Sequence, residues 1–192
     1  WSGCMHRNKQ VLRWLATPLA HDITGVILTA AWQRHHGRVA VSAEDWRNGE
    51  KLHEAAVRTI EELRKLGLRV LVLGPVPDIP YPAPECIFRA RSEADLRRCR
   101  YSANDVRLAQ QDIVNALRLA AAQFDNARFI DLKPAFCDRA YCWPARGRSI
   151  YYTDTNHLSV SGARMLHNQF RDDLAWVFES EERQPPMAAL PS

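Results

Sequence analysis

The sequence of 192 residues has the length and composition of a single globular domain. Hydrophobic residues make up 46% and charged residues 25%, and a chain of this length buries a substantial core. A net charge of +4 is too mild to predict nucleic-acid binding, and no apolar run approaches the ~18 residues of a membrane span. No signal peptide is visible, and the chain begins at Trp1, so we expect a piece of a longer protein.

Apolar periodicity predicts helices that alternate with short buried strands. The predicted elements are, in chain order, helix 6–16, strand 23–32, helix 48–67, strand 68–77, helix 102–124, strand 127–132 and helix 160–178. Gly67 ends the second helix and Ser159 is well placed to cap the last one. We therefore expect one domain over residues 1–178. A polar, proline-containing tail, 179–192, is predicted to be disordered.

This alternation predicts a three-layer α/β fold, with a parallel sheet covered by helices on both faces. In such folds the active site forms in loops beyond the carboxyl ends of the strands. Three stretches qualify: the loop after Trp32, the loop after Gly74, and the long segment 132–157. The last of these contains the most informative string in the sequence.

That string is "YYTDTNHLSVSGARML", residues 151–166, in which Asp154 and His157 are three residues apart. Imidazole titrates near neutrality and can take a proton from a hydroxyl and return it within one turnover. It works best when a carboxylate fixes its tautomer and stabilises the imidazolium, and Asp154 is close enough in sequence to do so. The alternative is a surface turn in which Asp154 caps local backbone and His157 is exposed.

Four segments together resemble the SGNH hydrolase superfamily, and more closely the extracytoplasmic SGNH domain fused to acyltransferase-3 membrane proteins. They are 25–32, 70–80, 127–142 and 151–166. The resemblance covers about residues 4–178, and its most specific element runs from Tyr152 to Ala163. It implies a flavodoxin-like sheet, and it implies that Asp154 and His157 are the Asp and His of a Ser-His-Asp triad, with His157 as acid and base and Asp154 orienting it.

The sequence departs from this family at the nucleophile. It contains no Gly-Asp-Ser, and its nearest look-alikes, at Ser2, Ser149 and Ser161, do not follow a strand. We therefore expect the family's first strand and its serine to lie upstream of Trp1. The strand that normally ends in an oxyanion-binding Asn ends here in "LTAAW", so Trp32 is predicted to line the pocket instead.

Five cysteines are many for a reduced cytosolic domain, and their spacing fits no zinc site. Disulfides Cys86–Cys99 and Cys137–Cys142 are predicted to close loops, which implies an oxidising compartment. Cys4 is left unpaired. The alternative is five free thiols in a cytosolic protein. The arginine-rich stretch 89–100, around Cys99, is interpreted as a solvated face, with an acidic-glycan contact as the alternative.

The resemblance implies an acyltransferase that moves an acyl group, expected to be acetyl, to hydroxyls of an envelope polysaccharide. The implied partners are the glycan, an acyl donor and an acyltransferase-3 transmembrane domain in the same parent chain, anchored in the inner membrane with this domain on the periplasmic side. No cofactor, metal or nucleic acid is predicted, and this chain alone is expected to be inactive. The alternatives are a GDSL-type esterase of carbohydrate or lipid, and a non-catalytic glycan-binding module with a decayed SGNH fold.

Overall fold

The computed structural model describes residues 2–32, 48–147 and 149–179. The helices are α1 Ser2–Leu15, α2 Asn48–Lys65, α3 Ala83–Arg89, α4 Glu93–Leu96, α5 Ala103–Ala121, α6 Lys133–Phe136, α7 Val160–Gln169 and α8 Arg171–Phe178. The strands are β1 Gly25–Leu28, β2 Arg69–Leu73, β3 Tyr101–Ser102, β4 Ala127–Ile130, β5 Tyr141–Cys142, β6 Ala145–Arg146 and β7 Ser149–Ile150. Short 3-10 turns lie at Pro18–Ala20 and Arg97–Cys99. Among the helices that the structure describes, none combines the length and the hydropathy needed to cross a bilayer.

The central sheet is parallel and has the order β1-β2-β4. Val70, in β2, is paired with Val26 on one side and with Ala127 on the other. Two small antiparallel pairs, β3 with β5 and β6 with β7, lie outside this sheet. The carboxyl ends of the three parallel strands therefore meet at one edge, as the sequence predicted.

Helices cover both faces of the sheet, because alternate residues of β2 point in opposite directions. Val70 and Val72 pack in one cluster with residues of α2 and α5, such as Ile60 and Leu117. Leu71, between the two valines, packs in another cluster that includes residues of α8. Each such fully buried aliphatic side chain contributes roughly 1.5–3 kcal/mol. The predicted three-layer α/β fold is confirmed.

Two glycines shape this frame for different reasons. Gly25, at the start of β1, lies against α8 so closely that a Cβ there would stand 2.6 Å from a side-chain carbon of Val177, with the Val177 carbonyl closer still. Gly67 has a φ of 70° just after α2, a backbone conformation that residues with a Cβ rarely adopt. The predicted end of the second helix is thus correct.

The last helix is not continuous, and the prediction of one helix over 160–178 was wrong. Phe170 has φ −112° and ψ 28°, which ends α7 and starts α8. Phe170 and Leu166 pack against two separate clusters, one beneath the polar loop 152–157 and one on the face of the sheet. Met165, before the break, packs in the first cluster, and Leu174, after it, packs in the second, so the break lies where the packing passes from one cluster to the other.

The two predicted disulfides are present, Cys86–Cys99 and Cys137–Cys142, and the first has a Cα–Cα distance of 5.9 Å. The side chain of Cys4 lies outside the described residues, so its free thiol stays a prediction. Most of the predicted disordered tail, residues 180–192, also lies outside them. Its first residue is described: Glu179 Oε2 accepts a hydrogen bond of 3.3 Å from Arg69 Nη1.

Candidate active site

Asp154 and His157 are in direct contact in the turn before α7. His157 Nδ1 lies 2.6 Å from Asp154 Oδ2, within the hydrogen-bond range expected of a catalytic pair. The other carboxylate oxygen, Oδ1, accepts from the backbone N–H groups of Asn156, at 2.8 Å, and of His157, at 2.7 Å. Three donors therefore fix the orientation of this carboxylate.

The same three donors hold the pKa of Asp154 well below its usual value of 3.8, at about 2. The two backbone N–H groups are the main cause, and the imidazole hydrogen bond adds to them. An ionised carboxylate has no proton to donate, so the hydrogen in the Asp154–His157 contact belongs to Nδ1. In the neutral ring this leaves the lone pair on Nε2, and no described group hydrogen-bonds to that atom.

The turn is fastened to the loop that follows β2. The Tyr152 hydroxyl donates to the carbonyl of Pro77 at 3.0 Å, and the backbone N–H of Ile79 donates to the carbonyl of Thr155 at 2.8 Å. The N–H of Ala83 donates to the carbonyl of Asp154 at 3.3 Å. Burial raises the pKa of Tyr152, which keeps its hydroxyl neutral as a donor. The Asp154–His157 pair therefore lies on the side of the sheet where β2 ends.

The segment after the pair is fixed by a helix cap and a close approach. Ser159 Oγ accepts from the N–H of Gly162 at 3.1 Å and donates to the carbonyl of Ile150 at 2.5 Å. A Cβ on Gly162 would stand 3.2 Å from the Cα of Tyr151 and closer still to its carbonyl. The Leu-Ser-x-x-Gly string thus sets where α7 begins relative to the turn.

The structure combines features of both sequence interpretations. Asp154 binds the local backbone, as expected of a surface turn, and it also binds the imidazole, as expected of a triad. The side chain of His157 is 69% exposed and that of Asp154 is 46% exposed. The catalytic role of the pair stays a prediction.

Trp32 lies at the same edge of the sheet. Its indole Nε1 donates to the carbonyl of Leu73, the last residue of β2, at 2.9 Å. The ring packs against the cluster between α2 and the sheet, whereas Tyr152 belongs to a different cluster. Its predicted place in a substrate pocket stays a prediction.

The serines that resemble a nucleophile motif are not placed as partners of His157. Ser149 and Ser161 border the same open depression, whose lining does not include the histidine. The side chain of Ser2 lies outside the described residues. Within the described part of the chain, no serine hydroxyl hydrogen-bonds to His157 Nε2.

Sequence reasoning missed the residues that support the pair. Phe136 and Tyr152 pack with ring centroids 5.4 Å apart beneath the turn, and Gln110 Nε2 donates to the carbonyl of Val76 at 2.9 Å. Gln110 is 4% exposed and lies on the buried face of α5, whose other face is exposed. The sequence showed only that a glutamine lies on the apolar stripe of a helix. It did not indicate which loop this glutamine would hydrogen-bond.

The profile of one protein family matches residues 1–172 of the chain. That family is described as the SGNH domain fused to AT3 domains, and the chain belongs to it. The match covers the whole central sheet, the supporting loops and the Asp154–His157 turn. A comparison with curated protein sequences gave no match.

Among solved structures, the chain is similar to the periplasmic domain of the lipopolysaccharide acetyltransferase from Salmonella ser. Paratyphi A. The TM-score is 0.52 and the identity 18%, over 72% of this chain and 53% of that one. The chain thus spans about half the length of this neighbour. A second similar structure is a Streptococcus pneumonia protein provisionally described as a platelet activating factor, with TM-score 0.44, identity 17%, and coverage of 79% and 59%. At such identities the first likeness shows a shared fold.

Proposed function

We propose that this chain supplies the acid–base half of a serine acyltransferase site, which transfers an acyl group, expected to be acetyl, to hydroxyls of a cell-envelope polysaccharide. The observation that carries the proposal is the 2.6 Å contact between His157 Nδ1 and Asp154 Oδ2, which leaves Nε2 as a base. Membership in the family of SGNH domains fused to AT3 domains supports it, as does the likeness to a lipopolysaccharide acetyltransferase domain.

Each residue has a defined task in the proposed reaction. His157 Nε2 takes the proton of a serine hydroxyl while its oxygen attacks the carbonyl of the acyl donor, and then gives that proton to the leaving group. A sugar hydroxyl next attacks the acyl-serine, with His157 taking its proton and returning it to the serine. Asp154 stays ionised and stabilises the imidazolium in both half-reactions.

The proposal places the nucleophile outside these 192 residues, because the sequence contains no Gly-Asp-Ser. A segment carrying that block would have to bring its serine oxygen to about 3 Å from Nε2. Trp32, at the same sheet edge, is proposed to border the space where the acyl group is held.

We place this site on the extracytoplasmic, periplasmic side of the inner membrane. Two disulfides fit an oxidising compartment. The proposed partners are an AT3 transmembrane domain in the same parent protein, which would deliver the acyl donor, and the glycan that accepts the acyl group.

Two other functions, an esterase and a non-catalytic glycan-binding module, are each favoured by a different observation. The high exposure of His157 gives water access to Nε2, which favours an esterase that uses water as acceptor. The absence of Gly-Asp-Ser from the sequence fits a glycan-binding module without catalysis. The ratio of acylated glycan to free acid distinguishes transferase from esterase, and glycan binding without turnover identifies the module.

The decisive experiment joins a family Gly-Asp-Ser block to this chain and measures transfer of acetyl from p-nitrophenyl acetate to an envelope glycan. His157→Ala should lower kcat by about 100-fold or more, and Asp154→Asn should lower it substantially while leaving KM nearly unchanged. His167→Ala and Asp112→Asn, both exposed on helices, are the matched controls and should behave as wild type. Equal activity of His157→Ala and His167→Ala would refute the proposed role.

A further inference from the structure

A cleft of about 330 Å³ lies between α4 and the loop that follows β5. We call it the arginine cleft; its polar and aromatic lining consists of Glu93, Arg97, Asp138, Trp143 and Arg146. Its volume is at the lower end of the range for small-molecule sites and suits one or two sugar rings. The residues of the Asp154–His157 pair do not line it.

Each of the two walls of the arginine cleft, α4 on one side and the loop after β5 on the other, is next to a disulfide. One wall ends at the Cys86–Cys99 disulfide, where the Tyr81 hydroxyl also donates to the carbonyl of Cys99. The other wall begins at the Cys137–Cys142 disulfide. A binding site with walls held in this way loses little conformational entropy when it binds a ligand.

Trp143 is held in place in the second wall. Its Nε1 donates to Asp138 Oδ2 at 2.9 Å, and the Arg100 guanidinium lies 5.9 Å from its ring centroid. The same guanidinium stacks at 3.7 Å on Tyr141, the neighbouring aromatic ring. The indole is thus a partly exposed, pre-oriented apolar surface, such as the C–H face of a sugar ring packs against.

The carboxylate of Asp138 and the guanidinium groups of Arg97 and Arg146 differ in how fully they are hydrogen-bonded. Asp138 accepts three hydrogen bonds: Oδ1 accepts from the N–H groups of Ala140 and Tyr141, and Oδ2 accepts from Trp143 Nε1. In the described part of the chain, no carboxylate lies within ion-pair distance of Arg97 or Arg146. Arg146 lies near enough to Asp138 to contribute to the lowered pKa of that carboxyl, after the hydrogen bonds that Asp138 accepts. Neither guanidinium is held in a salt bridge among the described residues, so both can bind an anion, and a planar guanidinium matches a carboxylate in bidentate geometry.

Glu93 narrows the class of ligand. It is exposed and lies at the start of α4. Its backbone carbonyl accepts from the N–H of Arg97, whereas its carboxylate forms no hydrogen bond or ion pair with the rest of the described residues. It would repel a simple anion but can accept hydrogen bonds from hydroxyl groups. The ligand that satisfies all three features has an apolar ring face, hydroxyl donors and a carboxylate.

We propose that the arginine cleft binds a carboxylate-bearing sugar residue, a uronic acid unit, of the acceptor glycan. That this sugar belongs to the acceptor rests on the proposed function, whereas its binding can be measured without turnover. The second wall is connected to the active-site turn: Pro144 lines the cleft, and its carbonyl accepts from the N–H of Tyr151 at 2.9 Å. Tyr151 is followed by the segment that carries Asp154.

The test titrates the 192-residue chain with tetragalacturonic acid and, as a neutral match, with its methyl ester. Binding is followed by calorimetry and by the NMR signal of the Trp143 indole N–H. The acid should shift that signal and bind at least about tenfold more tightly than the ester. Arg97→Gln and Arg146→Gln should each weaken binding of the acid by about tenfold, because each removes a guanidinium that would bind the carboxylate. Both side chains are exposed, so the substitutions should leave the fold intact.

Arg98→Gln is the matched control and should bind as wild type, because Arg98 lies outside the cleft and pairs with Asp95 at 3.7 Å. Equal affinity for acid and ester, or equal effects of all three arginine substitutions, would overturn the proposal. So would binding only to vesicles that contain an anionic lipid, with no saccharide bound. Failure of acetyl transfer with intact binding would refute the proposed function and leave this site in place.

Discussion

The carbonyl oxygen of Tyr151 lies where the first side-chain atom of any residue other than glycine would stand at position 162. This contact sets the distance between the start of α7 and the chain that leads into Asp154 and His157. The family's Ser-x-x-Gly string is thus a structural requirement of the turn as well as a sequence signature.

Gly162→Ala is therefore expected to destabilise the protein by about 1–3 kcal/mol, because backbone atoms have to move to admit the methyl group. Urea unfolding measures this change. Ser161→Ala, at the exposed neighbouring position in the same helical turn, is the control and should stay within about 0.5 kcal/mol of wild type. A Gly162→Ala protein as stable as this control would contradict the close approach.

The tautomer of His157 is expected to be the one with its hydrogen on Nδ1. Long-range ¹⁵N NMR at about pH 8.5, where a histidine ring is normally neutral, reports which ring nitrogen carries the hydrogen. In Asp154→Asn the ring should lose this single tautomer, because an amide can donate as well as accept. The same nitrogen shifts in wild type and in the variant would show that Asp154 does not orient the ring.

The carboxyl group of Asp154 should titrate with a pKa of about 2, below the usual 3.8, when followed by its ¹³C signal. Because the folded-state value is the lower one, protonation favours the unfolded form of the turn. The stabilisation is therefore complete above about pH 4 and is lost as the pH falls towards 2. Asp154→Asn should abolish this part of the acid sensitivity, and a midpoint near the usual value would contradict the three hydrogen bonds.

Thiol counting on denatured, unreduced protein should give one thiol, from Cys4. Replacing Cys86 and Cys99 together by serine should lower the free energy of unfolding by roughly 3 kcal/mol, the value expected for a loop of about fifteen residues. The shorter Cys137–Cys142 loop should contribute less. Five thiols would overturn both the pairing and the extracytoplasmic placement.

The 192-residue chain by itself should hydrolyse p-nitrophenyl acetate no faster than a His157→Ala variant. The reason is that acyl transfer needs a hydroxyl beside the base, and within the described residues none hydrogen-bonds to Nε2. Clear turnover that disappears in Ser2→Ala or Ser149→Ala would show that the nucleophile lies within this chain.

The sequence by itself determined the local features. The strand β2 was predictable because a run of apolar, β-branched residues bounded by turn residues has few other solutions. Gly67 and Ser159 were predictable as helix ends because the chemistry of a cap involves only the adjacent turn. The contact between Asp154 and His157 was predictable for the same reason, since three residues in a turn bring the two side chains together.

Only the tertiary structure decided the features that depend on distant segments. Phe170 interrupts a sequence that is periodic throughout, at the point where the packing passes from the cluster that includes Met165 to the one that includes Leu174. The carbonyl of Pro77 accepts a hydrogen bond from the hydroxyl of Tyr152, 75 residues further along the chain. The arginine cleft exists because two disulfide-stapled loops meet. Periodicity records which side of an element is apolar, but the partner of that side is chosen by packing of the whole chain.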